Sequence, residues 1–364
     1  MTRTEGGVDS AAENGGPPPP RANPDLIGHE SAERTLLDAW HSGRLAHAWL
    51  IGGPPGIGKA TLAFRFARFV LAGGGGDLLG DATTLAVDPD DPVFRRAAAG
   101  SHADLLTVER SLGDNNRHRT VIVVDDVRKA GGFLSLTPAE GGWRVVVVDR
   151  ADELNLNAAN ALLKFLEEPP DKALILLVCD APGRLLATIR SRCRTLTMRP
   201  LDDVLVAEVL TRHRPELGSD TAALARLAQG SPGRALALAD LGGLDLYREM
   251  VGVAAEEHDV DALHDLAERV SRGRDGASFS TLMDLLADWL ARLVHDAAAG
   301  TEAAEVVAGE DAVARRMLSR RPLDQWAEVW ETVRRLARDT DRINLDRKQV
   351  VIAAFGALAS APRG

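Results

Sequence analysis

The run Gly53-Pro54-Pro55-Gly56-Ile57-Gly58-Lys59 constrains this chain more than any other stretch. It follows Ala48-Trp49-Leu50-Ile51, which reads as a short buried strand, and precedes a helical pattern from Lys59 to about Leu71. A GxxxxGK run between a strand and a helix meets both context conditions for a phosphate-binding P-loop. Gly53, Gly56 and Gly58 let backbone N–H groups close around phosphate oxygens. The helix N-terminus adds partial positive charge, and Lys59 reaches toward the terminal phosphates. The bland alternative is a Gly/Pro turn that happens to contain a lysine, and it leaves the flanking strand and helix unexplained.

The rest of the first two hundred residues repeats that alternation. Strand signals lie at 104–108, 121–124, 144–148 and 173–178, with helical patterns near 92–99, 126–135 and 155–166. Strands alternating with helices predict a parallel sheet covered on both faces, an α/β fold. Beyond about Pro200 every periodic segment is helical. Leu282, Leu285, Leu286, Trp289, Leu290 and Leu293 form one apolar stripe, and Leu323, Trp326, Val329, Trp330, Val333 and Leu336 another. We therefore expect a disordered leader over 1–22, an α/β nucleotide-binding-like domain over 23–199, a small helical lid over 200–241 and a helical bundle over 242–364. The leader is Gly-, Pro- and polar-rich and has too little apolar surface to offset its ordering entropy.

Composition narrows the function. A net charge of −10 argues against a protein that coats nucleic acid through bulk charge. No apolar run approaches the ~20 residues needed to span a bilayer, and the first residues lack the apolar core of a secretory signal. A cytoplasmic setting without membrane attachment is the expectation. Cys179 and Cys193 are the sole cysteines, too few for a disulfide framework or a four-cysteine zinc module, so no zinc is expected. The histidines fall at no metal-ligand spacing; His41 and His47 read as loop positions.

Two positions weaken the P-loop as a hydrolase. The residue after the lysine, where Ser or Thr would ligate Mg²⁺, is Ala60. The hydroxyl comes one place later as Thr61, rotated by ~100° on a helix. The strand Val145-Val146-Val147-Val148-Asp149 supplies one carboxylate, but Arg150 stands where a second would polarise water; Asp152 and Glu153 fall on the next turn. The residues predict a degenerate P-loop able to hold ATP, with Mg²⁺ left open, that hydrolyses it poorly or not at all.

Four further segments carry a resemblance. They are Asp25-Leu26-Ile27-Gly28-His29, Arg44-Leu45-Ala46-His47-Ala48-Trp49, Asn160-Ala161-Leu162-Leu163-Lys164-Phe165-Leu166-Glu167-Glu168-Pro169-Pro170 and Leu185-Leu186-Ala187-Thr188-Ile189-Arg190-Ser191-Arg192-Cys193. Over about 23–240 the chain resembles the clamp-loader branch of the AAA+ proteins. That likeness implies an AAA+ P-loop NTPase-type sheet followed by a helical lid and an all-helical collar. It implies that Arg192 is an arginine finger, reaching in trans into the ATP site of a neighbouring subunit; a pair with a local carboxylate is the ordinary alternative. Within Gly230-Ser231-Pro232-Gly233-Arg234, Arg234 is either a sensor of nucleotide or a plain helix-start arginine. The strand end at Cys179-Asp180 lacks the family's sensor Thr or Asn. Motor members of the family keep the hydroxyl after the lysine and the Asp-Glu pair, both absent here.

The resemblance thus implies a stator subunit of the DNA polymerase III clamp loader in DNA replication. Its partners would be the gamma/tau and delta subunits and, through the complex, the sliding clamp and primed DNA. Trp289, Trp326 and Trp330 read as bundle core, the bundle then serving as a collar between subunits. A rival from another class is a self-sufficient AAA+ ATPase motor, which would need Lys59, Thr61 and Asp149 to form a working Mg²⁺–ATP site. A scaffold that binds no nucleotide is a third reading.

Overall fold

The computed structural model describes residues 17–75, 82–112, 119–140, 142–256, 259–273, 276–301 and 305–359. Contacts divide the chain into two compact units, 1–215 with 230–233, and 216–229 with 234–364.

In chain order the first unit contains α1 (Glu30–His41), β1 (Ala48–Gly52), α2 (Lys59–Leu71), α3 (Pro92–Ala98), β2 (Leu105–Val108) and α4 (Val124–Leu134). It continues with β3 (Arg144–Val148), α5 (Leu156–Glu167), β4 (Ala173–Cys179), α6 (Ala187–Arg190), β5 (Arg194–Thr197) and α7 (Asp203–His213). Among the described residues five strands form one sheet in the order β2-β3-β4-β1-β5. Every pairing is parallel. Alternate strand residues feed two cores. Trp49, Ile51, Val145, Val147, Leu174 and Leu176 pack with Leu36 of α1 and Leu62 and Phe66 of α2. Leu50, Val146, Val148, Ile175 and Leu177 pack with Val127 of α4 and Leu162 and Leu166 of α5. With both faces covered, these strands carry unbroken aliphatic runs. The α/β sheet expected from the sequence is therefore present.

Three details differ from the sequence reading. Residues 121–124 form no strand: Ile122 makes an isolated bridge to Leu154, and Val124 already begins α4. The Val123 N–H donates to Asp126 Oδ2, so a carboxylate one turn on captures the backbone for a helix start. Conversely β5 is a strand the sequence hides, since in Arg-Thr-Leu-Thr only Leu196 is buried. The third concerns the expected leader. Residues 1–16 lie outside the described residues, whereas Pro20–Ala22 form a 3₁₀ turn. The buried Arg68 of α2 donates from Nη1 to the Arg21 carbonyl and from Nη2 to the Asn23 carbonyl, 2.6 and 2.7 Å away. A buried guanidinium needs acceptors, and this segment supplies them. Burial lowers the Arg68 pKa to about 10.

The second unit is helical: α8 (Thr221–Leu227), α9 (Pro232–Asp240, whose first two residues count with the first unit), α10 (Gly243–Ala255), α11 (Val260–Ser271), α12 (Ala277–Ala299), α13 (Glu310–Leu318), α14 (Leu323–Ile343) and α15 (Arg347–Ala359). Helix α12 packs on α14 and α10, and α11 on α15. All six positions of the first apolar stripe are buried on α12, and Trp326, Val329 and Val333 of the second on α14. Trp330 is half-buried, with the Arg334 guanidinium 4.9 Å above its ring.

Candidate functional site

The P-loop leaves β1 at the C-terminal edge of the parallel sheet, and each of its carbonyls from Pro54 to Ile57 has a donor. Pro54 O accepts from Lys59 Nζ, Pro55 O from Ser231 Oγ at 2.9 Å, Gly56 O from the Gly233 N–H at 2.9 Å and Ile57 O from His29 Nε2 at 2.7 Å. With these carbonyls held, the loop keeps the curl a phosphate cradle requires. Because a carbonyl only accepts, His29 carries its proton on Nε2. Burial holds that imidazole below its ordinary pKa. Two glycines are sterically required. Gly58 adopts φ +103° at the start of α2, and a Cβ on Gly53 (φ +152°) would stand 2.5 Å from the Met198 carbonyl. Gly56 has φ +74°.

Lys59 does not point into an open cradle. Its ammonium meets Asp180 Oδ1 at 2.6 Å, with the lysine side chain 3% and the aspartate 28% exposed. Asp180 follows the last residue of β4, and its backbone N–H donates to Asp152 Oδ1 at 3.1 Å. Asp149 follows β3; burial raises its pKa, Glu109 and Asp180 push the same way, and Arg150 opposes them. Arg150 takes a left-handed backbone (φ +59°) and pairs with Glu153 at 3.2 Å. Arg110 Nε reaches the other oxygen of Glu153 at 3.1 Å. Thr61 is buried on α2 and Ala60 half-buried beside it.

The backbone has the form of a phosphate site, but the side chains do not fit Mg²⁺–ATP. The one P-loop cation is neutralised from inside, the metal-binding hydroxyl position is Ala60, and the second carboxylate is Arg150. Among the described residues no group of three or more His, Cys, Asp or Glu converges as a metal site would require. Burial pushes the Cys179 thiol up to about 12 and Cys193 up to about 11, so neither is a thiolate nucleophile at neutral pH.

Arg192 sits in the turn between α6 and β5. Its Nη2 meets Glu167 Oε1 at 2.8 Å, and Nη1 donates to the Thr188 carbonyl at 3.0 Å. Arg234 belongs to the second unit, where it pairs with Asp288 of α12. The site therefore brings together Lys59, Asp149 and Asp180 at the strand ends and sets Arg192 apart on its own turn. Sequence reasoning had marked Asp180 only as the wrong sensor residue, and it gave His29 and Ser231 no role. A carboxylate ending the strand beside the P-loop strand was the readable signal for the first. The other two act over distances that no local pattern encodes.

Residues 28–202 match the family model described as DNA polymerase III, delta subunit. DNA polymerase III subunit delta′ of Pseudomonas aeruginosa is 39% identical over 154 residues, 41% of this chain and 42% of that protein. The Escherichia coli K12 delta′ subunit is 35% identical over 213 residues, 56% of this chain and 57% of its own. The tau/gamma subunit of Haemophilus influenzae is 28% identical over 260 residues, 68% of this chain and 36% of that protein. The chain spans about half the length of the delta′ relatives it matches. Over residues 28–202 the chain is similar to the delta′ subunits of DNA polymerase III.

Proposed function

We propose that this chain is the stator subunit of a clamp loader, presenting Arg192 to ATP held by a neighbouring subunit while hydrolysing little or none itself. One observation carries the reading: the Arg192 guanidinium is 35% exposed on a turn, tied to a surface carboxylate. Arg68 and Arg144, by contrast, are buried among backbone acceptors and committed to the fold. A guanidinium placed beside a γ-phosphate in trans stabilises the charge that develops in phosphoryl transfer. The Ala60 and Arg150 positions support the complementary half, a subunit that lacks turnover of its own.

In this reading the partners are gamma/tau and delta subunits, and the complex places the sliding clamp on primed DNA in the cytoplasm. The helical second unit serves as the collar that joins subunits. No helix among the described residues is long and apolar enough to cross a membrane. The test is reconstitution with the motor and delta subunits. Arg192→Ala should lower ATP turnover without lowering assembly, and unchanged turnover removes the finger assignment. ATP hydrolysis by the purified chain alone, abolished by Lys59→Ala, would instead support a self-sufficient motor.

A further inference from the structure

We infer that Asp180 is a built-in anion that occupies the P-loop lysine and sets the nucleotide affinity of this loop. The inference does not involve Arg192, so it stands or falls apart from the stator reading.

In a P-loop the lysine is the single formal positive charge aimed at the terminal phosphates, the remaining attraction coming from backbone N–H groups and the helix N-terminus. Here that ammonium is buried and has two partners, Asp180 Oδ1 at 2.6 Å and the Pro54 carbonyl. The Asp180 position is fixed from two directions. Parallel pairing of β4 with β1 aligns Cys179 with Gly52, which brings the residue after β4 level with the start of the loop. Its own N–H is then held by Asp152 Oδ1 at 3.1 Å. The backbone that carries the carboxylate is thus placed by the sheet.

The charge balance gives the arrangement its effect. A polyphosphate entering the cradle must separate Lys59 from Asp180, and it then meets the freed Asp180 carboxylate, whose charge already acts on Asp149 at the end of the neighbouring strand. Asp149 is already buried in an environment that disfavours a further negative charge. The loop's shape, meanwhile, owes nothing to phosphate at Pro55, Gly56 and Ile57, whose carbonyls are held by Ser231, Gly233 and His29. Asp180 therefore supplies the charge that a nucleotide supplies elsewhere, and the cradle persists without one.

The experiment titrates the purified full chain with fluorescent ADP, displaced by unlabelled ATP or ADP, with and without Mg²⁺. Wild type, Asp180→Asn, Asp180→Ala and Asp180→Asn combined with Lys59→Ala are compared, and melting temperatures establish that each folds. The two Asp180 variants should bind at least tenfold more tightly than wild type, and the gain should vanish in the double variant. Asp180→Ala keeps the test open should the amide variant fold poorly. Wild type binding as tightly as both variants, no gain in either, or a gain that survives loss of Lys59 would each overturn the assignment.

Discussion

Arg192 and Glu167 stand 2.8 Å apart, so the arginine before β5 is held in the lone chain by the acid that ends α5. Their side chains are 35% and 50% exposed. Exposed pairs of this kind contribute about 0–1 kcal/mol. A neighbouring subunit that offers a more demanding anion meets an arginine that is oriented but weakly retained.

That weakness separates two substitutions. Glu167→Gln should leave the melting temperature within about 4 °C, as a change below about 1 kcal/mol implies, and complex ATP turnover within about twofold. Arg192→Lys should lose most of what Arg192→Ala loses, because an ammonium lacks the planar fork that grips two phosphate oxygens. Steady-state ATP turnover of the reconstituted complex on primed DNA checks both. Full activity in the lysine variant would show that charge alone suffices.

His29 makes stability depend on pH. Burial lowers its pKa below the ordinary value of about 6.5, so the unfolded chain binds the proton more readily than the folded one. The contribution is fully present above pH ~6.5 and is lost as pH falls from there through the depressed folded value. Gln at this position keeps a donor for the Ile57 carbonyl without titrating. His29→Gln should therefore reduce the stability loss between pH 7.5 and 5.5, leaving the contributions of His102 and His213, whose pKa values burial also lowers. Thermal melts across that range decide it, and an unchanged slope would remove His29 from the account.

Two adjacent glycines of α4 should respond with opposite signs. A Cβ on Gly131 would lie 2.1 Å from Phe165 Cζ of α5, whereas one on Gly132 meets nothing within 4 Å. Gly131→Ala forces the two helices apart and should cost about 1–3 kcal/mol. Gly132→Ala should stabilise by about 0.5–1 kcal/mol through the unfolded chain. Chemical denaturation of the two variants side by side is sufficient, and equal effects would contradict the packing of α4 on α5.

In the second unit Glu310 is the shared acceptor of a buried cluster. It takes the Tyr247 hydroxyl at 2.5 Å, Arg292 Nη2 at 3.3 Å and the Val306 and Val307 N–H groups at 2.8 and 3.4 Å. Glu310→Ala takes this acceptor from the Tyr247 hydroxyl and the Val306 and Val307 N–H groups, leaves Arg292 only its bond to Tyr247 at 2.6 Å, and should cost about 3–5 kcal/mol, the scale for breaking a buried pair. Tyr247→Phe removes one hydroxyl and should cost about 1–2 kcal/mol. Chemical denaturation of each variant measures the two losses. Equal losses in the two variants would show that the carboxylate is not the hub.

Sequence reveals most where burial is continuous. The runs at 48–51, 144–148 and 173–178 are strands because both faces of the sheet are covered, and period-two sorting into two cores asks only for aliphatics. Val121-Ile122-Val123-Val124 satisfies the same rule yet enters a helix, because one carboxylate, Asp126, claims the backbone. Edge strand β5 breaks the rule in the other direction, with three of its four side chains exposed. The site divides along similar lines. Local spacing disclosed the glycines, Lys59 and Arg192, but not what holds them. Asp180, Ser231 and His29 reach the loop through the sheet order and the return of residues 230–233, which arise only once the topology has formed.

The bond from Ser231 to Pro55 closes a gap of 176 residues. At a synthesis rate of about 5–20 residues per second, the Pro55 carbonyl emerges on the order of ten seconds or more before its donor exists. Sheet, α1 and α2 all precede that moment in the chain, so the P-loop takes its final form after the sheet around it has been made. A chain stopped at 215 would hold all five strands and still leave the carbonyls of Pro55 and Gly56 without their partners. The phosphate cradle is thus a late-closing seam in folding, secured by a segment more distant along the chain than any strand of the sheet it caps.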